Sequence, residues 1–260
     1  MNGPSVRHFP GRDGVPLAYR ETGDGRPLIL IHGFTASGLL MLQHGPASAL
    51  AGHGYRVIAP DLRGHGDSAR PHDPAAYPPD VLAEDGLALI DWLGLDADSF
   101  DLVGYSLGGR VVLRLLARGA QPGHAVVAGQ GLDALDATSG RTDGHRRLLA
   151  RMVSGEAFAP GTPEALAAQW ITERGGDPRA MSLVLDSFTQ TPVAALRAVA
   201  VPTLVVVGDK DVRGDTAADL AASLGNGDVV RVPGDHGSAL MAPELTAAIL
   251  DFLARGPQHP

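Results

Sequence analysis

Cysteine is absent from the chain, which removes disulfides, thiolate nucleophiles and cysteine-ligated metals together. Positive charge is also scarce. Asp and Glu number 29 against 21 Lys and Arg, a formal net charge of −8, and no run of Lys or Arg stands out. A nucleic acid or an anionic membrane bound through a basic face is therefore not expected. Long apolar runs are missing too: nothing approaches the roughly 18 apolar residues of a membrane-spanning helix. The opening stretch, MNGPSVRHFPGRDGVPLAYR, lacks the apolar core of a secretory signal, so the expected location is the cytoplasm. Aromatic residues make up only 5%. What remains is ordinary for a folded domain, with 44% apolar and 19% charged residues over a length of 260, enough for one sizeable α/β unit with a large core. A small-molecule substrate is the default partner, and the sequence sets no oligomeric state.

Short apolar runs recur along the chain: PLILI at 27–31, YRVIA at 55–59, FDLV at 100–103, HAVVA at 124–128, PTLVVV at 202–207 and DVVRV at 228–232. Their length and lack of polar interruption suit strands buried on both faces of a parallel sheet. Segments with helical spacing lie between them, at 80–93, 106–118, 215–224 and 239–254. Two earlier strands, near 5–9 and 15–21, read as a hairpin around GRDGVP. Strand alternating with helix predicts a doubly wound, mostly parallel sheet of about eight strands with right-handed crossovers. The alternation stops between residues 131 and 190, where GHRRLLARMV, TPEALAAQWITER and RAMSLVLDSF are helix-forming. The expected organisation is thus a core made of 1–130 and 191–260, with 131–190 a helical cap of two to four short helices over one end of the sheet.

One pentapeptide suggests chemistry. Gly-Tyr-Ser-Leu-Gly at 104–108 follows an apolar strand and opens a helical segment, the setting in which a tight turn presents a Ser hydroxyl at a helix N-terminus. Ser106 is a nucleophile candidate only if a base and an orienting acid exist elsewhere. Of ten histidines, His236 in VPGDHGSAL follows the last strand and precedes the last helix, which puts it at the same sheet edge as Ser106. The acid is expected after the preceding strand, in VVVGDKDVRGD. Asp211 is the first choice there. Asp209 suits a turn brace and Asp215 an N-cap for the next helix, while Asp133, one strand earlier, is an outside candidate.

Four motifs together resemble the α/β-hydrolase fold family over nearly the whole chain: HGFTAS at 32–37, DLRGHGDS at 61–68, GYSLGG at 104–109, and GDKD with GDHG at 208–211 and 234–237. The resemblance implies the family fold with its cap and the chain order Ser106, Asp211, His236. It further implies an oxyanion hole from the backbone N–H groups of Phe34 and Leu107; losing one such donor typically costs about 2.7–4 kcal/mol of barrier. His32 and the residues Asp61, Arg63 and Ser68 are expected to brace loops, with His65 not catalytic. No metal pattern such as His-Glu-x-x-His and no Gly-x-Gly-x-x-Gly turn is present, so neither metal nor nucleotide cofactor is expected.

The expected reaction is hydrolysis of a small carboxylic ester through an acyl-enzyme. Ser at 106, where Asp would be needed, speaks against the dehalogenase and epoxide-hydrolase branches. Extending the motif to Arg110 resembles the menaquinone-pathway synthases that form 2-succinyl-6-hydroxy-2,4-cyclohexadiene-1-carboxylate; there the Arg binds a substrate carboxylate, and Arg141, Arg146, Arg147 and Arg151 are possible helpers. A C–C bond hydrolase, a perhydrolase and a non-enzymatic ligand receptor are further alternatives on this fold. Candidate substrate-binding residues are Tyr105, Arg110 and Trp170, with Phe34, Phe158, Phe188, Met152 and Met181 as further lining candidates.

Overall fold

A computed structural model describes residues 4–136, 140 and 142–255. Eight strands form one sheet: β1 (Arg7–Pro10), β2 (Pro16–Thr22), β3 (Arg26–Ile31), β4 (Tyr55–Pro60), β5 (Asp101–Tyr105), β6 (His124–Ala128), β7 (Thr203–Gly208) and β8 (Gly227–Val232). Their spatial order is β1-β2-β4-β3-β5-β6-β7-β8. β2 pairs antiparallel with β1 and β4, and every later pairing is parallel.

The apolar runs are unbroken because both faces of the sheet are covered. In β3, Ile29 and Ile31 join one core cluster while Leu28 and Leu30 join the other; in β7, Val205 and Val207 divide in the same way from Leu204 and Val206. The first cluster is closed by α3 (Val81–Trp92), α4 (Leu107–Ala117), α8 (Val193–Arg197) and α9 (Ala217–Ser223). The second takes Met41 from α1 (Gly38–Gln43), Leu50 from α2 (Ala47–Gly52) and Leu245, Ile249 and Phe252 from α10 (Pro243–Leu253). Between β6 and α8 run α5 (Asp143–Ser154), α6 (Pro163–Glu173) and α7 (Pro178–Asp186). No helix among the described residues is long and apolar enough to cross a membrane.

The expected strands and main helices appear within a few residues of their sequence positions. Three short helices were not anticipated: α1 and α2 are six residues each and α8 is five, too short for a helical period to emerge from their sequence. Asp215 also differs from expectation. It lies inside a 3₁₀ turn, Val212–Thr216, and Thr216 occupies the position before α9.

The loop after β4 is held by buried charge. Asp61 accepts hydrogen bonds from the Gly38 and Asp67 amides at 2.6 and 2.9 Å and from Arg20 at 3.2 Å. Ser68 donates to the Asp61 carbonyl and accepts from the Ala18 amide. Arg63, fully buried, forms a two-pronged pair with Asp85 of α3 at 2.9 and 2.7 Å and donates to the carbonyls of Ala76 and Arg12. Every prong of that guanidinium has a partner, so removing Asp85 strands a charge rather than merely deleting a contact. Asp85→Ala should therefore lower unfolding free energy by about 3–5 kcal/mol in urea denaturation, a loss too large for a solvated surface pair.

Candidate active site

Ser106 sits where β5 hands over to α4, with φ 54° and ψ −112°, a left-handed backbone conformation that a non-glycine residue adopts only under constraint. Its neighbours supply that constraint. A Cβ on Gly104 would lie 2.2 Å from the Gly108 carbonyl oxygen, and one on Gly108 would lie 2.1 Å from the Ile31 carbonyl oxygen. Both glycines are thus required by close backbone approach, which packs the turn against the end of β3. The Ser106 amide bonds the Ala128 carbonyl at 2.8 Å, and the Gln130 side chain donates to the Ser106 carbonyl. The turn is held from β6 as well.

His236 reaches the turn from the loop after β8. Its Nε2 lies 2.9 Å from Ser106 Oγ and its Nδ1 lies 2.6 Å from Asp211 Oδ2. With Asp211 ionised, Nδ1–H donates to the carboxylate and Nε2 accepts from the Ser hydroxyl, a tautomer suited to receive its proton. Asp211, 4% exposed, follows β7, and its other oxygen accepts from the Arg213 amide at 3.0 Å. Burial opposes ionisation of Asp211, but the hydrogen bond from His236, the one from the Arg213 amide and the adjoining positive charge hold its carboxyl below the ordinary carboxylate range. Asp209 instead accepts from the Gly234 amide at 2.9 Å and braces the turn before His236. Asp133 accepts from Thr216 Oγ1 at 3.1 Å.

Phe34 and Leu107 flank this chain of hydrogen bonds. The Gly33 position places the segment against Ser106, since a Cβ there would stand 3.4 Å from the Ser106 Cβ. Neither the Phe34 nor the Leu107 amide donates a hydrogen bond among the described residues. His32 accepts from the Leu62 amide at 3.0 Å and donates to the Gly33 carbonyl at 2.7 Å; its burial lowers its pKa to about 3, so it stays neutral in this bracing role. His65 is buried behind Phe34, 2.7 Å from its carbonyl oxygen.

Ser106 and His236 open into a cavity of about 450 Å³, also lined by Phe34, Tyr105, Trp170 and Met241, a size suited to a small organic ligand. A smaller space of about 210 Å³ shares Phe34, Thr35 and Leu40 and extends to Ile171 and Met181. Trp170 of α6 ties this side of the site to the core, its indole N–H donating to the Thr35 carbonyl at 3.0 Å. Tyr105 is committed within the protein: its hydroxyl donates to the His236 carbonyl at 2.6 Å, which fixes the loop carrying that imidazole.

Arg110 departs from the expected role. It does not line the cavity; its guanidinium donates to the Thr189 carbonyl at 2.8 Å and lies 4.7 Å from the Phe188 ring centroid. Four residues beyond Ser106, it lies on a face of α4 that meets the 187–189 segment, and burial there lowers its pKa to about 10. Arg146 is engaged by Asp186 and Arg151 by Glu156, and Phe158 stacks with Arg151. Arg141 lies outside the described residues. Sequence reasoning did not single out His145, Arg174 or Arg213, all of which line the cavity. Arg213 carried one usable signal, its position two residues after Asp211.

Comparison with known proteins places the chain in a family. A family model described as the α/β hydrolase fold matches residues 26–134. A non-heme haloperoxidase of Rhodococcus erythropolis is 30% identical over 281 aligned positions, which cover 93% of this chain and 97% of that protein. The chain belongs to the α/β-hydrolase superfamily. A non-heme chloroperoxidase of Burkholderia pyrrocinia is 28% identical to this α/β hydrolase, over 93% of this chain and 97% of the relative. Among solved structures, a bromoperoxidase of Bacillus anthracis superposes with a TM-score of 0.72 at 28% identity, covering 96% of this chain and all of that one.

The depressed Asp211 carboxyl gives this α/β hydrolase a pH signature. A carboxyl that ionises more readily folded than unfolded adds stability above its unfolded pKa and loses that addition as pH falls through its folded pKa. The stability difference between wild type and Asp211→Asn in urea should therefore hold from neutral pH down to the ordinary carboxylate range, then shrink toward zero below it.

Proposed function

We propose that this α/β hydrolase is a serine esterase that cleaves small carboxylic esters. The observation that carries the reading is the unbroken hydrogen-bonded series from Ser106 Oγ through His236 to Asp211, facing a cavity of small-molecule size. His236 takes the Ser106 proton as Oγ bonds the ester carbonyl carbon. The Phe34 and Leu107 amides stabilise the negative oxygen that forms. The tetrahedral intermediate collapses by breaking the carbon–oxygen bond to the alcohol, which leaves with the proton from His236. Water, deprotonated by His236, then attacks the acyl-enzyme; the acid departs and the proton returns to Ser106 Oγ. Asp211 holds the imidazole in the working tautomer and stabilises its charged form. Residues 131–190 serve as the cap, with α5 and α6 supplying His145 and Trp170 to the cavity wall.

The haloperoxidase names of the relatives favour a second use of the same acyl-enzyme. Hydrogen peroxide in place of water would release a peracid and regenerate the Ser106 hydroxyl. The lyase alternative is less supported, because Arg110 is engaged by Thr189 and Phe188, away from the cavity.

Treatment with a fluorophosphonate followed by peptide mass mapping should place the label on Ser106. The labelling should be lost in His236→Ala, and Ser106→Ala should lower kcat on a p-nitrophenyl ester by on the order of 10⁴-fold or more. A label on another residue, or full turnover by Ser106→Ala, would count against the assignment. Peracid formation from acetate and hydrogen peroxide, set against ester turnover, separates the two product partitions.

A further inference from the structure

The cavity that holds Ser106 is lined by charge of one sign. The charged side chains on its wall are Arg174 and Arg213, beside the imidazoles of His44, His145 and His236, and it contains no Asp or Glu among the described residues. The chain as a whole carries −8, so this grouping runs against composition. Several arginines elsewhere are tied to carboxylates at under 3.5 Å: Arg20 to Asp61 and Asp67, Arg63 to Asp85, Arg114 and Arg118 to Asp80. The two cavity arginines are held differently. Arg174 stacks over the Trp170 ring and forms no ion pair among the described residues. Arg213 comes only to 3.8 Å of Asp211 Oδ1, and its guanidinium donates no hydrogen bond among the described residues.

Asp211 offsets part of the Arg213 charge from behind the wall but leaves Arg174 uncompensated. It is buried behind the wall, with its carboxylate oxygens on His236 and the Arg213 amide. His145 adds a polar group on the α5 side. Its ring packs edge-on to Phe34 at 5.1 Å, and burial together with nearby Arg213 and His236 depresses its pKa, leaving a neutral imidazole able to donate one hydrogen bond.

We infer that the natural ester carries a carboxylate, bound by Arg213 and Arg174 while the ester carbonyl lies against Ser106. The inference rests on the esterase reading and narrows it to acidic esters. A planar guanidinium matches a carboxylate fork, and at the partly buried Arg213 the attraction is stronger than between two solvated groups, with the exposed Arg174 adding a second positive charge at the rim. Such contact to a part of the substrate remote from the reacting bond anchors it for reaction.

Mono-4-nitrophenyl glutarate and 4-nitrophenyl pentanoate present the same acyl chain length with and without the carboxylate. The wild type should favour the glutarate ester in kcat/KM by about tenfold or more, and Arg213→Gln and Arg174→Gln should each shrink that ratio. Because both esters are assayed on one preparation, loss of folded enzyme cancels from the ratio. Added salt should narrow it as well. Equal kcat/KM for the two esters, or a preference untouched by both substitutions, overturns the inference while leaving the esterase reading in place. Calorimetric binding of glutarate against neutral glutaramide is independent of turnover. Glutarate binding that weakens in the arginine variants supports the anionic site even if neither ester is cleaved, an outcome that sinks the esterase reading instead; equal binding of the two probes removes the anionic site.

Discussion

The close approach of backbone to backbone at the end of β5 is the constraint on which the site depends. Gly104, Gly108 and the Ile31 carbonyl are packed so tightly that no side chain fits between them. Ser106 is consequently held in a conformation it would not adopt in an open loop. That geometry fixes the hydroxyl at the start of α4, beside the Leu107 amide. The strain is offset by the sheet: β3 and β6 flank β5, and the Ala128 carbonyl holds the Ser106 amide directly.

A second layer of polar contacts fixes what the sheet leaves loose. Asp61, Arg63 and Ser68 shape the loop after β4, and His32 and His65 carry that order to the carbonyls of Gly33 and Phe34. The oxyanion-hole candidate Phe34 is thereby placed by groups distant in sequence. On the opposite side, Asp209 and Tyr105 hold the loop that carries His236. These are buried, hydrogen-bonded groups in a low-dielectric setting, where an unsatisfied partner is costly and a satisfied one is rigid.

Reading the chain alone identified the strands because parallel strands covered on both faces keep a continuous apolar signature, as β6 and β7 do. Ser106 and His236 were legible because each follows a strand whose C-terminal end must lie at one sheet edge. Asp211 was separable from Asp209 only by a preference; the distances to His236 and to the Gly234 amide divide their roles. Arg110 misled because helix position alone does not say which face is covered. It turned to Thr189, on a segment some eighty residues away whose packing no local pattern reports. Short α1 and α2 were likewise unreadable, since one and a half turns cannot display a helical period.

Sequence by itself therefore determined the order of elements, the sheet edge at which the candidate site would form, and the hydroxyl and imidazole near it, while the choice of Asp211 over Asp209 beside that imidazole needed the structure. Those features follow from local periodicity and from the fixed polarity of a parallel sheet. Tertiary structure alone decided which arginines face the cavity. Arg110 is drawn away while Arg174 and Arg213 reach the wall from segments far apart in the chain. The physical reason is that a side chain's surroundings are set by packing between elements, and the sign of charge lining a cavity is a property of that packing rather than of composition.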